Sequence, residues 1–156
     1  MPNQLLAELK QSKPYPSVAQ EAHVSIVRTA AVLAHAIEEV LKPFGITATQ
    51  YNVLRILRGE GRRGLCRQEI GERMVTPVTD VTRLLDRLED MRLITRARGV
   101  EDRRRMTTRI TREGLKLLAR ADGPLVAGHE RLLGHLGARK LRTLVDLLAE
   151  ARSAQV

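Results

Sequence analysis

Between Arg92 and Arg109 the chain places seven arginines, at positions 92, 96, 98, 103, 104, 105 and 109, against only Glu101 and Asp102. This short segment therefore holds five of the chain's formal net charge of +9. Guanidinium groups repel one another and do not give up their protons at ordinary pH. A folded hairpin gains nothing by gathering them, so a polyanion outside the chain is expected to neutralise them. Duplex DNA fits: it carries one phosphate charge about every 1.7 Å of axis, and each contact releases a counterion. A charge run alone is equally consistent with a solvated face, so its neighbourhood has to decide. Just upstream, Val78, Val81, Leu84, Leu85 and Leu88 fall at helical spacing and leave Thr79, Asp80, Thr82, Arg83, Asp86 and Arg87 on the opposite side. Hydroxyls and arginines on the outer face of a helix suit base edges and phosphates, arginine to guanine being the commonest specific contact.

Other chemistries are poorly served. There is no G-x-S-x-G, no glycine-rich phosphate loop and no H-E-x-x-H, and the single cysteine, Cys66, has no histidine near it in sequence. His23, His35, His129 and His135 lack ligand spacing on a shared helical face, so no metal and no cofactor is expected. One cysteine also rules out an internal disulfide and fits a reducing compartment. Cys66 precedes a short helix whose dipole would favour a thiolate, which makes oxidant sensing a second reading; the plainer one is a small buried hydrophobe. Aromatic residues make up 2% of the chain, with Tyr15, Phe44 and Tyr51 the whole supply. That is too few for the stacking platforms of single-strand or RNA binders. No window approaches the roughly 18 apolar residues of a membrane span, and the first residues lack a leader-like apolar run, so a cytoplasmic protein without membrane partners is expected.

The elements that must hold these residues can be read in order. Apolar positions stepping by three and four predict a long helix from about Ser17 to Lys42, stopped by Pro43 and Gly45. Thr47 and Gln50 form a capping-box signature, with Ile46 and Tyr51 as a hydrophobic staple, and predict a second helix to about Arg58. A short helix over Arg67–Met74, a turn at Val75-Thr76-Pro77 and the polar-faced helix make a helix-turn-helix. Thr76 is the expected cap, with Pro77 in the first turn and Thr79 as the alternative cap. Leu93–Arg98 and Met106–Ile110 read as strands of a hairpin wing. Thr111 caps a further helix, with a kink or break expected at Gly123-Pro124, and a last helix spans about Ala138–Arg152. The end helices carry more apolar surface than a small head can cover, which points to a second copy of the chain.

The run Asp80-Val81-Thr82-Arg83-Leu84-Leu85-Asp86-Arg87-Leu88-Glu89, then Leu93-Ile94-Thr95-Arg96, Asp102-Arg103-Arg104, Ile110-Thr111 and Gly114, resembles the MarR family of winged-helix transcription regulators. Thr49–Leu54 resembles that family's second helix, so the likeness spans essentially the whole chain. The Asp-Arg-Arg motif, at its distance from helix and cap, is the specific part. The resemblance implies a mainly α fold with a small two- or three-stranded β-wing. It makes residues 1–156 one domain, with a winged helix-turn-helix over about 47–111 and dimerisation helices over about 1–42 and 112–156. It also implies a homodimeric repressor on a palindromic operator, often relieved by a small ligand or an oxidant. By position, Asp102 and Arg104 become the wing pair, the carboxylate orienting an arginine into the minor groove, where negative potential concentrates. Arg92 departs from the pattern, since members commonly have glycine there.

The expected DNA contacts are Thr76, Pro77, Thr79, Asp80, Thr82, Arg83 and Arg87 on the recognition helix. On the wing they are Arg96, Arg98, Asp102, Arg103, Arg104 and Arg105. A nucleoid-type protein that binds duplex without sequence preference is the other reading, separated from a regulator by the ratio of specific to random affinity.

Overall fold

The computed structural model describes residues 4–99 and 105–153, so Asp102, Arg103 and Arg104 lie outside the described residues. The chain divides into two compact units, residues 1–36 and 37–156. Helix α1 (Gln4–Glu8) is followed, beyond Pro14 and Pro16, by α2 (Val18–Leu41). Of the 24 residues of α2 only Leu41 is buried, while Val18, Ile26, Val27 and Val32 are exposed. The stop falls where proline and glycine required it: Pro43 cannot donate a backbone bond, and Gly45 takes a left-handed φ of 69°.

In the second unit, α3 (Ala48–Glu60) starts as its local sequence dictates. Thr47 Oγ1 accepts from the Gln50 N–H at 3.1 Å and Gln50 Oε1 accepts from the Thr47 N–H at 2.9 Å. Val53, Leu54 and Leu57 face inward and are fully buried. They meet Ile70 of α4 (Arg67–Arg73), Leu85 and Leu88 of α5 (Val81–Asp90), and Leu118 of α6 (Arg112–Leu133). Each such side chain taken out of water contributes about 1.5–3 kcal/mol. This core fixes α5 with one face down and the other in solvent.

Strands β1 (Ile94–Arg98) and β2 (Met106–Ile110) pair antiparallel, in register from Ile94 with Ile110 to Arg98 with Met106. A third strand is one residue long: the N–H and carbonyl of Leu65 bond those of Thr108 at 2.8–3.0 Å. Gly64 permits that approach, because a Cβ there would lie 2.6 Å from the Thr108 carbonyl oxygen.

Thr111 caps α6 by accepting from the Gly114 N–H at 3.1 Å, and a side chain at Gly114 would collide with the Leu93 carbonyl. The break expected at Gly123-Pro124 does not occur; α6 runs on through Pro124. Proline forfeits one backbone bond and is itself exposed, while Ala121, Leu125 and Gly128 around it are buried and hold that stretch of α6 against the core. Helix α7 (Gly137–Ser153) has no buried residue, and Leu144, Val145 and Leu147 are exposed along it. No helix of the described residues is long and apolar enough to cross a membrane.

Candidate nucleic-acid interface

Helix α5 begins later than the sequence suggested. Neither Thr76 nor Thr79 is its cap: Asp80 is, its Oδ1 accepting from the Arg83 N–H at 2.9 Å. Thr76, Pro77 and Thr79, expected on the recognition helix, therefore sit in the turn before it. The turn is pinned from outside, since Asn52 Oδ1 of α3 accepts from the Val75 N–H at 2.9 Å.

On α5 itself Leu85 and Leu88 are buried, whereas Thr82, Arg83, Asp86 and Arg87 are exposed. Arg83 and Arg87 make no ion pair among the described residues, neither with Asp80 nor with Asp86. They border an open groove of about 330 Å³ whose other wall is the first turn of α3, with the hydroxyl residues Thr47 and Thr49. The helix thus presents two unengaged guanidinium groups and a threonine, a surface able to donate to phosphates and to base acceptors.

The C-terminus of α5 shows how Arg92 replaces glycine. Arg92 adopts a left-handed φ of 59°. Its N–H bonds the Glu89 carbonyl at 2.8 Å and that of Leu93 bonds the Leu88 carbonyl at 3.0 Å, the two bonds of a Schellman ending. Thr111 Oγ1 donates to the Arg92 carbonyl at 2.8 Å. The left-handed turn is kept without glycine, and it sends the chain directly into β1.

Arg96, expected among the DNA contacts of the wing, is paired within the chain. Its Nε and Nη2 reach Glu89 Oε2 at 3.0 and 2.6 Å, and Nη2 also meets Asp86 Oδ1 at 2.6 Å. The guanidinium is turned onto the recognition helix of its own chain. The pairing with Arg96 holds the Glu89 carboxyl below its usual range, and the same bonds raise Arg96. The expectation that all seven arginines lack internal neutralisation is therefore corrected for this one. Arg109 is also engaged, Nε donating to the Arg62 carbonyl at 2.7 Å. Arg98 and Arg105 stay exposed on the wing.

Cys66 stands at the N-cap of α4, half-buried rather than fully buried. Its N–H donates to Glu69 Oε2 at 2.8 Å, which holds that carboxyl down, and its Sγ lies 3.6 Å from Arg105 Nη2.

Two groups escaped sequence reasoning. Arg67, at the start of α4, donates from Nη1 to Thr82 Oγ1 of α5 at 2.9 Å. Asp122 of α6 accepts from Arg58 at 2.6 and 3.3 Å and from the Tyr51 hydroxyl at 3.0 Å, tying α6 to α3. The Arg58 bonds hold the Asp122 carboxyl low, while burial and the bond to Asp122 push the Tyr51 phenol up. Residues 71 and 64 positions apart in sequence leave no local signal of such a pairing.

A sequence model described as the MarR family matches residues 44–105. The HTH-type transcriptional regulator FarR of Neisseria gonorrhoeae is 26% identical over 137 residues, covering 88% of this chain and 92% of FarR. A MarR transcription factor from Planctomyces limnophilus is 38% identical, with a TM-score of 0.66 over 87% of this chain and 98% of that one. The transcriptional repressor CouR, solved on a 23-mer DNA duplex, is 26% identical with a TM-score of 0.78, covering 90% of this chain and 99% of that one. CouR from Rhodococcus jostii RHA1 has also been solved bound to p-coumaroyl-CoA.

Proposed function

The chain belongs to the MarR family of winged-helix, DNA-binding transcription regulators, which are not enzymes, and from that premise we propose a homodimeric repressor of palindromic operators. Residues 47–111 form its DNA-binding part, and the helices on either side join two copies. The observation that carries the reading is α5: two leucines seal one face into the core while Thr82, Arg83 and Arg87 stand exposed on the other. A helix so held can enter a major groove about 12 Å wide without losing its packing. Arg98 and Arg105, together with Asp102, Arg103 and Arg104, follow the duplex backbone and adjacent minor groove, with Thr76, Pro77, Thr79 and Asp80 at the edge of the major-groove contact. Arg96 serves the wing from within.

Dimerisation is supported by the end helices. A helix of 17 residues with none buried, and with Val145 63% and Leu147 58% exposed, leaves an apolar face that water disfavours. A two-fold dimer places two α5 helices about 34–36 Å apart, one duplex turn. Release by a small ligand is supported by CouR, which binds both DNA and p-coumaroyl-CoA. The cytoplasm is the compartment in which such a regulator meets its operator.

The test is enrichment from a random duplex pool with the purified protein. An inverted repeat with half-sites one turn apart, bound by two chains, is the expected result. A pool that stays random would overturn the repressor reading in favour of a sequence-indifferent DNA binder.

A further inference from the structure

The contact between Arg67 and Thr82 joins the two helices of the helix-turn-helix at the point where sequence would be read. Asp80 caps α5, so Thr82 is the second residue of the helix, in the N-terminal turn that meets base edges in this motif. Both side chains are exposed. The bond is 2.9 Å, from Arg67 Nη1 to Thr82 Oγ1. A threonine hydroxyl has one donor and two acceptor sites and rotates to suit its partner. Arginine donates only, so its presence occupies one acceptor lone pair of Thr82. Thr82 keeps its O–H and one lone pair, and the guanidinium charge strengthens the O–H as a donor and weakens the remaining lone pair as an acceptor. Arg67 makes no ion pair among the described residues.

We infer that Arg67 and Thr82 act as a two-residue reading unit. Arg67 holds the Thr82 hydroxyl in place and polarises its O–H, making it a better donor than acceptor, and the pair thereby favours a base with a major-groove acceptor over cytosine at one position of each half-site. Guanine offers O6 and N7, adenine N7 and thymine O4, whereas cytosine presents its N4 amino donor. Against cytosine only the second, weakened lone pair of Thr82 can pair. Arg67 is a positioning residue here, acting through Thr82. The inference rests on the reading of the chain as a sequence-specific regulator, and adds which residues set one letter of its site.

The experiment compares base-preference profiles, selected from a random duplex pool, for wild type, Arg67→Ala, Arg67→Lys, Thr82→Ala and the double variant R67A/T82A. Circular dichroism melts confirm folding, which two exposed side chains leave intact. Wild type should disfavour cytosine at one half-site position by about tenfold, the discrimination of one good polar contact. R67A and T82A should each lose that preference at the same position, the double variant should lose no more, and R67K, which still donates, should keep part of it. An unaltered R67A profile with uniformly weaker binding overturns the inference, because Arg67 then touches only phosphate. Changes at different positions in R67A and T82A overturn it as well. A wild-type pool without any enriched motif would instead sink the regulator reading and this inference with it, which separates the two failures.

Discussion

Replacing Arg96 with alanine distinguishes a wing arginine that touches DNA from one that holds the wing to α5. The side chain makes three bonds of 2.6–3.0 Å to Glu89 and Asp86. The partners are open to solvent, with 38% of the Glu89 and 52% of the Asp86 side chain exposed, so water and salt screen both pairs. Pairs of this kind measure about 0.2–1 kcal/mol each, and the two together should be worth about 1 kcal/mol. In a chain of this size that lowers the melting temperature by roughly 2–4 °C. If the lost energy must be restored when the wing seats on DNA, operator affinity falls about fivefold at fixed salt. The slope of log affinity against log salt should not change, because no phosphate contact is removed. An arginine on a phosphate would instead take about 0.9 from that slope. Fluorescence anisotropy titrations of a labelled operator at several chloride concentrations, alongside thermal melts, give both quantities. A slope reduced by that amount with an unchanged melt would refute the latch, and show that Arg96 leaves its carboxylates for the duplex.

Other consequences follow from particular contacts. The Asp122 carboxyl is depressed by Arg58, so its stabilisation is complete above the unfolded carboxyl value of about 4 and is lost as pH falls through the folded value. Asp122→Asn should therefore melt below wild type at pH 7, with the gap closing as the buffer is taken below about pH 4; a gap independent of pH contradicts this. Arg92→Gly relieves a left-handed backbone that costs L-residues about 1–2 kcal/mol, and should raise the denaturant midpoint, a fall being the contrary result. Thr47→Ala removes half of the α3 capping box and should cost about 1 kcal/mol by urea unfolding. Val145→Asp with Leu147→Asp places charge on the exposed apolar face of α7. Sedimentation should then report a monomer, and a dimer unaffected by the change would move the interface elsewhere.

What could be read from the residues alone was whatever depends on near neighbours. The Thr47 and Gln50 box and the Thr111 cap are set by side chains within a few positions and stand where the sequence put them, and the strands of the wing do so but for Leu93, which precedes the first. The start of α5 was not legible, because Thr76, Thr79 and Asp80 can all cap. Asn52, 23 residues upstream, pins the turn before the helix through its bond to the Val75 N–H, a contact that no local pattern announces. Counting charge between Arg92 and Arg109 likewise could not see pairing. Arg96 finds Glu89 and Asp86 only because the left-handed turn at Arg92 folds β1 back along α5. Pro124 reads as a kink or break by its chemistry, and α6 runs on through it with Ala121, Leu125 and Gly128 buried around it. Arg67 and Thr82 are 15 residues apart and meet across the turn of the motif, which no periodicity announces.

The most direct test measures affinity at about 0.15 M salt for the selected inverted repeat and for a shuffled duplex of the same composition, in wild type and in Arg83→Ala/Arg87→Ala. A specific regulator reading through α5 should prefer the repeat by about 10³ or more, and the double variant should lose most of that preference while staying folded. Equal affinity for the two duplexes, or a preference that survives without either arginine, would contradict the account.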